Sequence, residues 1–435
     1  MNHALLKCWN CLTKFVIIEA VACNSMKNKL IRFFFRFGFV IWLWAFLFAR
    51  VPLAAIQDVF GLESRPLLLL DCLSLGLAFV AFSKVGLRPL EVFKSSVLKV
   101  GGISFALFWA FYSVRLGFDH WILSVELLTP SSTLFKHLLT STLIPALCLP
   151  WLVTMASSAS TLPLLVGLGS TSLLFGELSF VFIHGFDALM KVRFSFEDLN
   201  PIPAAHSSAS LVILSSLFLW SVICQGSRKS RVIQVLIGFI GMFSGLLGMQ
   251  LAMTKGAFLA LIPIVIFLGC FLWRFFRVYG FTAFLGLLAI GSVWMFGSMR
   301  RNLWSAGSIG DRFELIRQSL TVWSDNWFLG VGFRAQGILD ANPLTIGNHW
   351  YPHNFVAESL LLGGVVLLAL LGSFIISVGL NASFSITATG FKDSLHTSLT
   401  FLWIQGFASG LVSGHLALIP GFWVGGLLVL LNSDR

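Results

Sequence analysis

The sequence is poor in charge: Lys, Arg, Asp and Glu make up 11% of 435 residues, against roughly 25% in an ordinary soluble chain. That scarcity excludes a soluble enzyme. Cysteine is also sparse, with seven residues. Cys72, Cys148, Cys224 and Cys270 lie inside apolar runs, where cysteine behaves as a small hydrophobe, so no disulfide scaffold or redox site is expected. Cys8 and Cys11 form one Cys-x-x-Cys, but a zinc ribbon needs a second pair or histidines at ligand spacing, and none follows. Internal repeats are missing, which tells against the two-halved architecture of many transporters.

What the chain has instead is apolar length: 57% of it is hydrophobic. A hydrocarbon core about 30 Å thick needs about 20 apolar residues per helical crossing. Runs such as Thr161–Phe182 and Gly256–Trp273 are apolar on every face, unlike the alternating strands of a membrane barrel. The expected fold is all-α, a polytopic transmembrane bundle of about 12 crossings. They fall near residues 33–49, 66–83, 97–112, 138–154, 161–182, 207–224, 232–252, 256–273, 281–297, 355–379, 396–413 and 415–431.

Residues 1–30 are expected to be a cytoplasmic tail. Glu19 interrupts the short apolar stretch Phe15–Cys23 that would otherwise read as a signal peptide, and Met26 is an alternative start. Residues 31–435 then form the membrane domain, with a partly helical outer loop, 298–354, between crossings nine and ten. The net charge of +11 gathers in short loops: Lys84, Arg88, Lys94 and Lys99, then Arg228, Lys229 and Arg231, then Arg274 and Arg277. Such loops stay cytoplasmic, which puts both chain ends inside and makes membrane lipids, not nucleic acid, the expected partner of the basic charge. The polar outer segments are Arg50–Arg65, Arg115–His137, His184–His206 and above all 298–354.

Asp71, Glu177 and Glu358 lie inside predicted crossings, where a central carboxylate costs roughly 2.5–3.5 kcal/mol on insertion scales. Each sits about 8 Å from the outer end of its helix at 1.5 Å per residue. Either they face a site open to the outer leaflet, or they pair with arginines and cap helix ends. Lys255 occupies the short outer turn in Gln250-Leu-Ala-Met-Thr-Lys-Gly-Ala-Phe; taken alone it reads as a snorkelling lysine.

The most informative segment is 310–366. It contains Gly-Asp-Arg312-Phe-Glu-Leu-Ile-Arg317, then Trp323-Ser-Asp-Asn-Trp-Phe-Leu-Gly330-Val-Gly332-Phe, then Tyr351-Pro-His353-Asn354-Phe-Val-Ala-Glu358 and Gly363-Gly364. An Arg opens an amphipathic stretch ending in Trp and a Phe-Leu-Gly-Val-Gly turn; a His-Asn pair opens the next crossing; glycines follow about ten residues later. This pattern resembles the O-antigen ligase and O-antigen polymerase family, which moves lipid-linked glycans at the outer face of the bacterial inner membrane. The family's Ser-Arg-Gly at an earlier outer turn is matched here by Thr254-Lys255-Gly256.

The resemblance implies a multi-pass inner-membrane glycosyltransferase with no cofactor and no metal. The donor would be an undecaprenyl diphosphate-linked glycan and the acceptor a hydroxyl on lipid A-core or on another glycan, so ligase and polymerase both stand. It further implies that Arg312 and Lys255 hold the diphosphate, that His353 activates the acceptor hydroxyl, and that Asn354 orients the base or a sugar. Glu358 joins the substrate-binding set. Lysine offers a point charge where arginine offers a fork, so Arg300, Arg301 or Arg334 are alternatives at Lys255's task. The residues suit these roles. Pro352 fits a first helical turn, which predicts a helix beginning at 351–353 with His353 at its N-terminus. There the dipole disfavours imidazolium, and free N–H groups suit a phosphate, as does the guanidinium of Arg312.

Other constellations compete. His349 and His353 have the i, i+4 spacing of a metal pair, but Pro352 disturbs that turn. His184, Asp187, His206 and Glu197-Asp198 share an outer loop that reads either as solvated or as a cation or sugar site. Gly330-Val-Gly332 lacks the strand and helix of a nucleotide fold. His415 starts the last crossing and reads either as an acceptor-entrance residue or as a satisfied helix end. A glycan or lipid transporter, without a base, is the contending function from another class; a non-catalytic partner of an assembly machine is a third.

The loop charges yield the first prediction. In a cysteine-free background, an impermeant maleimide should label single cysteines in 298–354 from outside intact spheroplasts. Labelling of 225–231 under those conditions would invert the topology.

Overall fold

A computed structural model of the chain describes residues 26–63, 65–87, 96–125, 127, 130–156, 158–187, 192–197, 199–225, 231–252, 254, 256–258, 260–261, 306–335, 352–389, 394–412, 416 and 419–432. Among them there is no strand, only an isolated bridge between Phe196 and Leu199. In chain order the helices are α1 (Met26–Leu47), α2 (Arg50–Phe60), α3 (Pro66–Val85), α4 (Ser96–Gly117), α5 (Ser131–Leu138), α6 (Ile144–Thr154) and α7 (Ser158–His184). They continue with α8 (Pro201–Gln225), α9 (Arg231–Ala252), α10 (Ala306–Ser324), α11 (Phe355–Thr389), α12 (Ser394–Val412) and α13 (Pro420–Asn432).

Among the described residues seven spans are long and apolar enough to cross a membrane: Pro66–Val85, Lys99–Ile122, Ser131–Thr154, Thr161–His184, Pro201–Val222, Val232–Ala252 and Phe355–Ile386. An eighth is made if α1 and α2, bent by 66°, count as one. Two of these spans contain π turns, Phe118–Ile122 after α4 and Leu139–Leu143 between α5 and α6. The second joins two short helices into one 24-residue span. Most of predicted crossings eight and nine, 256–273 and 281–297, lies outside the described residues. At crossings eleven and twelve the helices are of another kind. Buried polar residues run through α12: His396, Thr397, Ser398, Thr400, Gln405 and Ser409. At 13 residues α13 is too short to cross alone, and everything from Phe422 to Asn432 is buried.

The core around α13 is aromatic. Trp423 packs on Phe108 and Trp109 of α4 at ring separations of 4.6 and 5.1 Å, and on Phe374 of α11 at 5.3 Å. Elsewhere small residues draw helices together. Gly238, Gly241, Gly245 and Gly248 line one side of α9, and a methyl on Gly245 would come within 2.8 Å of the Ser208 carbonyl in α8. Membrane helices lack a hydrophobic drive to associate with one another, so close backbone approach of this type supplies packing instead.

The three carboxylates expected inside crossings meet different partners. Ser244 lies 3.4 Å from both oxygens of Glu177, Glu358 accepts from a backbone N–H described below, and Asp71 Oδ1 has no hydrogen-bond partner.

Helix α11 is interrupted at Gly364 (φ 59°, ψ −150°). Into the break fits the turn after α10. Val365 N–H donates to the Trp327 carbonyl at 3.0 Å, and that carbonyl also accepts from Trp323 Nε1 at 2.9 Å. Gly330 (φ 64°) lies so close to the Leu360 and Leu361 carbonyls, and Gly364 so close to the Phe328 carbonyl, that a Cβ at either would collide with backbone. Left-handed φ and backbone crowding act together at both glycines. Gly330→Ala and Gly364→Ala should each destabilise by about 2–4 kcal/mol. Gly372→Ala, in the same helix with nothing near the added methyl, should be neutral or stabilising by up to about 1 kcal/mol. Thermal unfolding in detergent checks this; equal midpoints for all three would refute the docked turn.

Candidate active site

Three of the residues singled out in the sequence converge on the link between α12 and α13. Asn354 and Glu358 are four apart, on one side of the first turn of α11. Asn354 Nδ2 donates to the Leu411 carbonyl at 2.9 Å, and the carboxylate of Glu358, 4% exposed, accepts from Leu416 N–H at 2.8 Å. From α10, Arg312 donates to the Val412 carbonyl, a cation at the C-terminal end of α12 where helix carbonyls lack partners. Leu411, Val412 and Leu416 are thus held by side chains of two helices.

The start of α11 differs from expectation. The helix begins at Phe355, not at 351–353. Asn354 is its cap, with Oδ1 accepting from Val356 and Ala357 N–H, each at 3.0 Å. Asparagine is among the strongest N-caps, and it overrides the preference of Pro352 for a first turn. Two N–H groups that seemed open to a phosphate are therefore taken by Asn354. His353 lies just outside the helix with φ 53°, an uncommon conformation for a residue with a side chain, in which histidine is nonetheless enriched. Strain of this kind costs of order 1–3 kcal/mol and gathers at functional sites.

Arg334 is exposed at the end of the 3₁₀ turn Gly332–Arg334. Lys255 and Arg301 lie outside the described residues, as do Arg300, His349 and His415. The Thr254 carbonyl accepts from Ala257 N–H at 3.2 Å. His206 does not join an outer loop cluster. It belongs to α8, and its Nδ1 lies 3.2 Å from Ser409 Oγ of α12, while His184 packs on the Phe180 ring at 4.7 Å. Among the described residues no group of three or more His, Cys, Asp and Glu is arranged to hold a metal ion.

Sequence reasoning missed a buried ion pair. Asp119, fully buried in the π turn after α4, lies 3.1 Å from Arg115 Nε and accepts from Phe333 N–H at 2.6 Å. Gly332 leaves no room for a Cβ between the pair and the turn. The i, i+4 spacing of Arg115 and Asp119 was the available signal; the partner N–H, 214 residues away, had none. On the outside of α10, Glu314 is held to about pH 2 by hydrogen bonds from Arg317 and Gln318, so it stays ionised and engaged.

Helices of this length and apolarity, closed over a polar junction at one end, define a multi-pass membrane protein. Residues 240–372 match a family described as O-antigen ligase. The matched segment runs from α9 through α10 and its turn into α11, and contains Lys255, Arg312, His353, Asn354 and Glu358. The motif resemblance and the family match thus fall on the same part of the chain, and they point to membrane glycan processing. No curated protein matches the chain.

The junction yields a prediction about Asn354. Asn354→Ala should cost about 1 kcal/mol through the lost cap. Asn354→Asp keeps a capping oxygen but loses the donor to Leu411, and should recover most of that stability. If both variants unfold at the same midpoint, the cap is not what Asn354 contributes.

Proposed function

We propose that the chain is a membrane glycosyltransferase of the O-antigen ligase type. It would transfer a glycan from undecaprenyl diphosphate to an acceptor hydroxyl at the outer face of the inner membrane, in a bundle of about 12 crossings with loop 298–354 outside. The observation that carries this reading is the convergence of Arg312, Asn354 and Glu358 on residues 411–416, with the strained His353 directly beside Asn354.

In this reading the reducing sugar's C1–O bond to the diphosphate breaks, and a bond forms from the acceptor oxygen to C1. The acceptor proton passes to the neutral imidazole of His353, and undecaprenyl diphosphate leaves with the electron pair. Arg312 and Lys255 oppose the charge that develops on the leaving diphosphate, with Arg301 and Arg334 as further cations of the site. Bonding Arg312 to the end of α12 fixes the plane of its guanidinium, and a preset donor costs little reorganisation during reaction. Asn354 and Glu358 hold the junction and the start of α11, and with it His353. Lipid A-core as acceptor makes the protein a ligase; a second lipid-linked repeat unit makes it a polymerase. The bond chemistry is identical, and no step calls for a nucleotide or metal.

Reconstitution with a lipid-linked oligosaccharide and several acceptors tests this. His353→Ala should bind donor as the parent does but form product about 10²–10⁴-fold more slowly. The parental rate should rise with pH and level off once His353 is neutral. Arg312→Ala and Lys255→Ala should each lose roughly 10- to 150-fold, the equivalent of one charge-assisted hydrogen bond, and Lys255→Arg should retain activity. Product from His353→Ala at the parental rate and with the parental pH profile would sink the assignment of the base. No acceptor-linked product from the parent would favour a transporter.

A further inference from the structure

The turn docked in the α11 break has a second face, and none of the described residues covers it. Trp327, Phe328 and Leu329 are 58%, 55% and 45% exposed, and Leu320, one turn before the end of α10, is 42% exposed. This apolar face is paired with a buried one, because Leu315 and Ser319 on the other side of α10 are 3% and 1% exposed. We propose that Leu320–Leu329 is a wedge seated in the outer leaflet of the membrane, with Trp327, Phe328 and Leu329 against acyl chains.

Three observations select lipid as the occupant. The first is level. Beyond the break, Val365–Ile386 alone covers about 33 Å at 1.5 Å per residue, close to the thickness of the hydrocarbon core. Gly364 therefore lies at the outer edge of that core, and Val365 ties Trp327 to the same level. Trp collects at this boundary. The second is continuity. Ile376 and Leu380 of α11 are 61% and 49% exposed, so the apolar surface that faces lipid further down the helix continues into the turn.

The third is polar satisfaction. Irregular backbone persists beside hydrocarbon only where its polar groups have partners. Here the Trp323 and Asn326 carbonyls accept from Asn326 and Gly330 N–H at 2.8 Å each, and the Trp327 carbonyl accepts twice. Charge marks the upper rim. Arg317, bonded to Glu314 at 2.6 Å, and Asp325 are exposed and belong at headgroup level. The wedge does not depend on the proposed reaction, but it would hold Arg312 and its helix at the plane where a lipid phosphate lies.

Nitroxide labels on single cysteines in a cysteine-free protein, reconstituted in phosphatidylethanolamine–phosphatidylglycerol liposomes, test the wedge at positions 317, 325, 328, 329 and 380. All five side chains are at the surface, so the substitutions spare the fold. Labels at 328 and 329 should collide more with oxygen than with a water-soluble nickel chelate, as the lipid reference at 380 does, while 317 and 325 should show the reverse. Nickel-dominated collisions at 328 and 329 would overturn the proposal. So would low accessibility to both reagents, because it would mean that a protein surface covers the turn.

Discussion

A single backbone hydrogen bond, Val365 N–H to the Trp327 carbonyl, closes a break in a membrane helix, and the geometry of the candidate site depends on it. Interrupting a helix strands N–H and carbonyl groups, and beside hydrocarbon water cannot rescue them. The chain solves this by bringing a segment from outside the helix into the gap. Glycine on both sides of the contact, Gly330 and Gly364, lets two backbones approach where any side chain would intervene. Once docked, the turn sets the position of α10, and α10 carries Arg312. The segment of α11 before the break carries Asn354 and Glu358. One contact thus links the two helices whose side chains meet at residues 411–416.

A second fastening works from the other side of the turn. Asp119 and Arg115 sit at the end of α4 and receive Phe333 N–H, so the Gly330–Phe333 stretch is held against both α4 and α11. Removing one member of a buried pair leaves an uncompensated charge, which makes the position of this stretch hard to alter piecemeal. The Phe-Leu-Gly-Val-Gly motif owes its composition to these contacts. Its glycines serve close backbone approach and a carboxylate, and phosphate cradling is not needed to explain them.

Much of the architecture was legible because apolar length is a strong signal: α3, α7, α9 and α11 stand where the longest runs predicted crossings. Features set by backbone hydrogen-bond register were not. The π turns at 118–122 and 139–143 and the 66° bend after Leu47 leave hydropathy unchanged, so nothing in composition announces them. The start of α11 does carry a legible signal. Asn354, immediately before an apolar run, is a stronger helix-start mark than a proline two residues earlier. Arg312, Asn354 and Glu358 were legible as a set through motif spacing, but their common target was not, because main-chain atoms at 411–416 carry no sequence signature.

The burial of α13 bears on how the molecule is made. Domains and helices emerge from the ribosome in chain order, and α13 follows all the other described helices. Yet it is α13 that places Trp423 among the rings of α4 and α11, with its residues from Phe422 onward closed off on every side. The helices around it are synthesised first and must wait with their inner faces unfilled. Seating α13 therefore means slipping a short helix into a vestibule already walled by its neighbours, and the side chains of α10 and α11 that hold Leu411, Val412 and Leu416 are made before it.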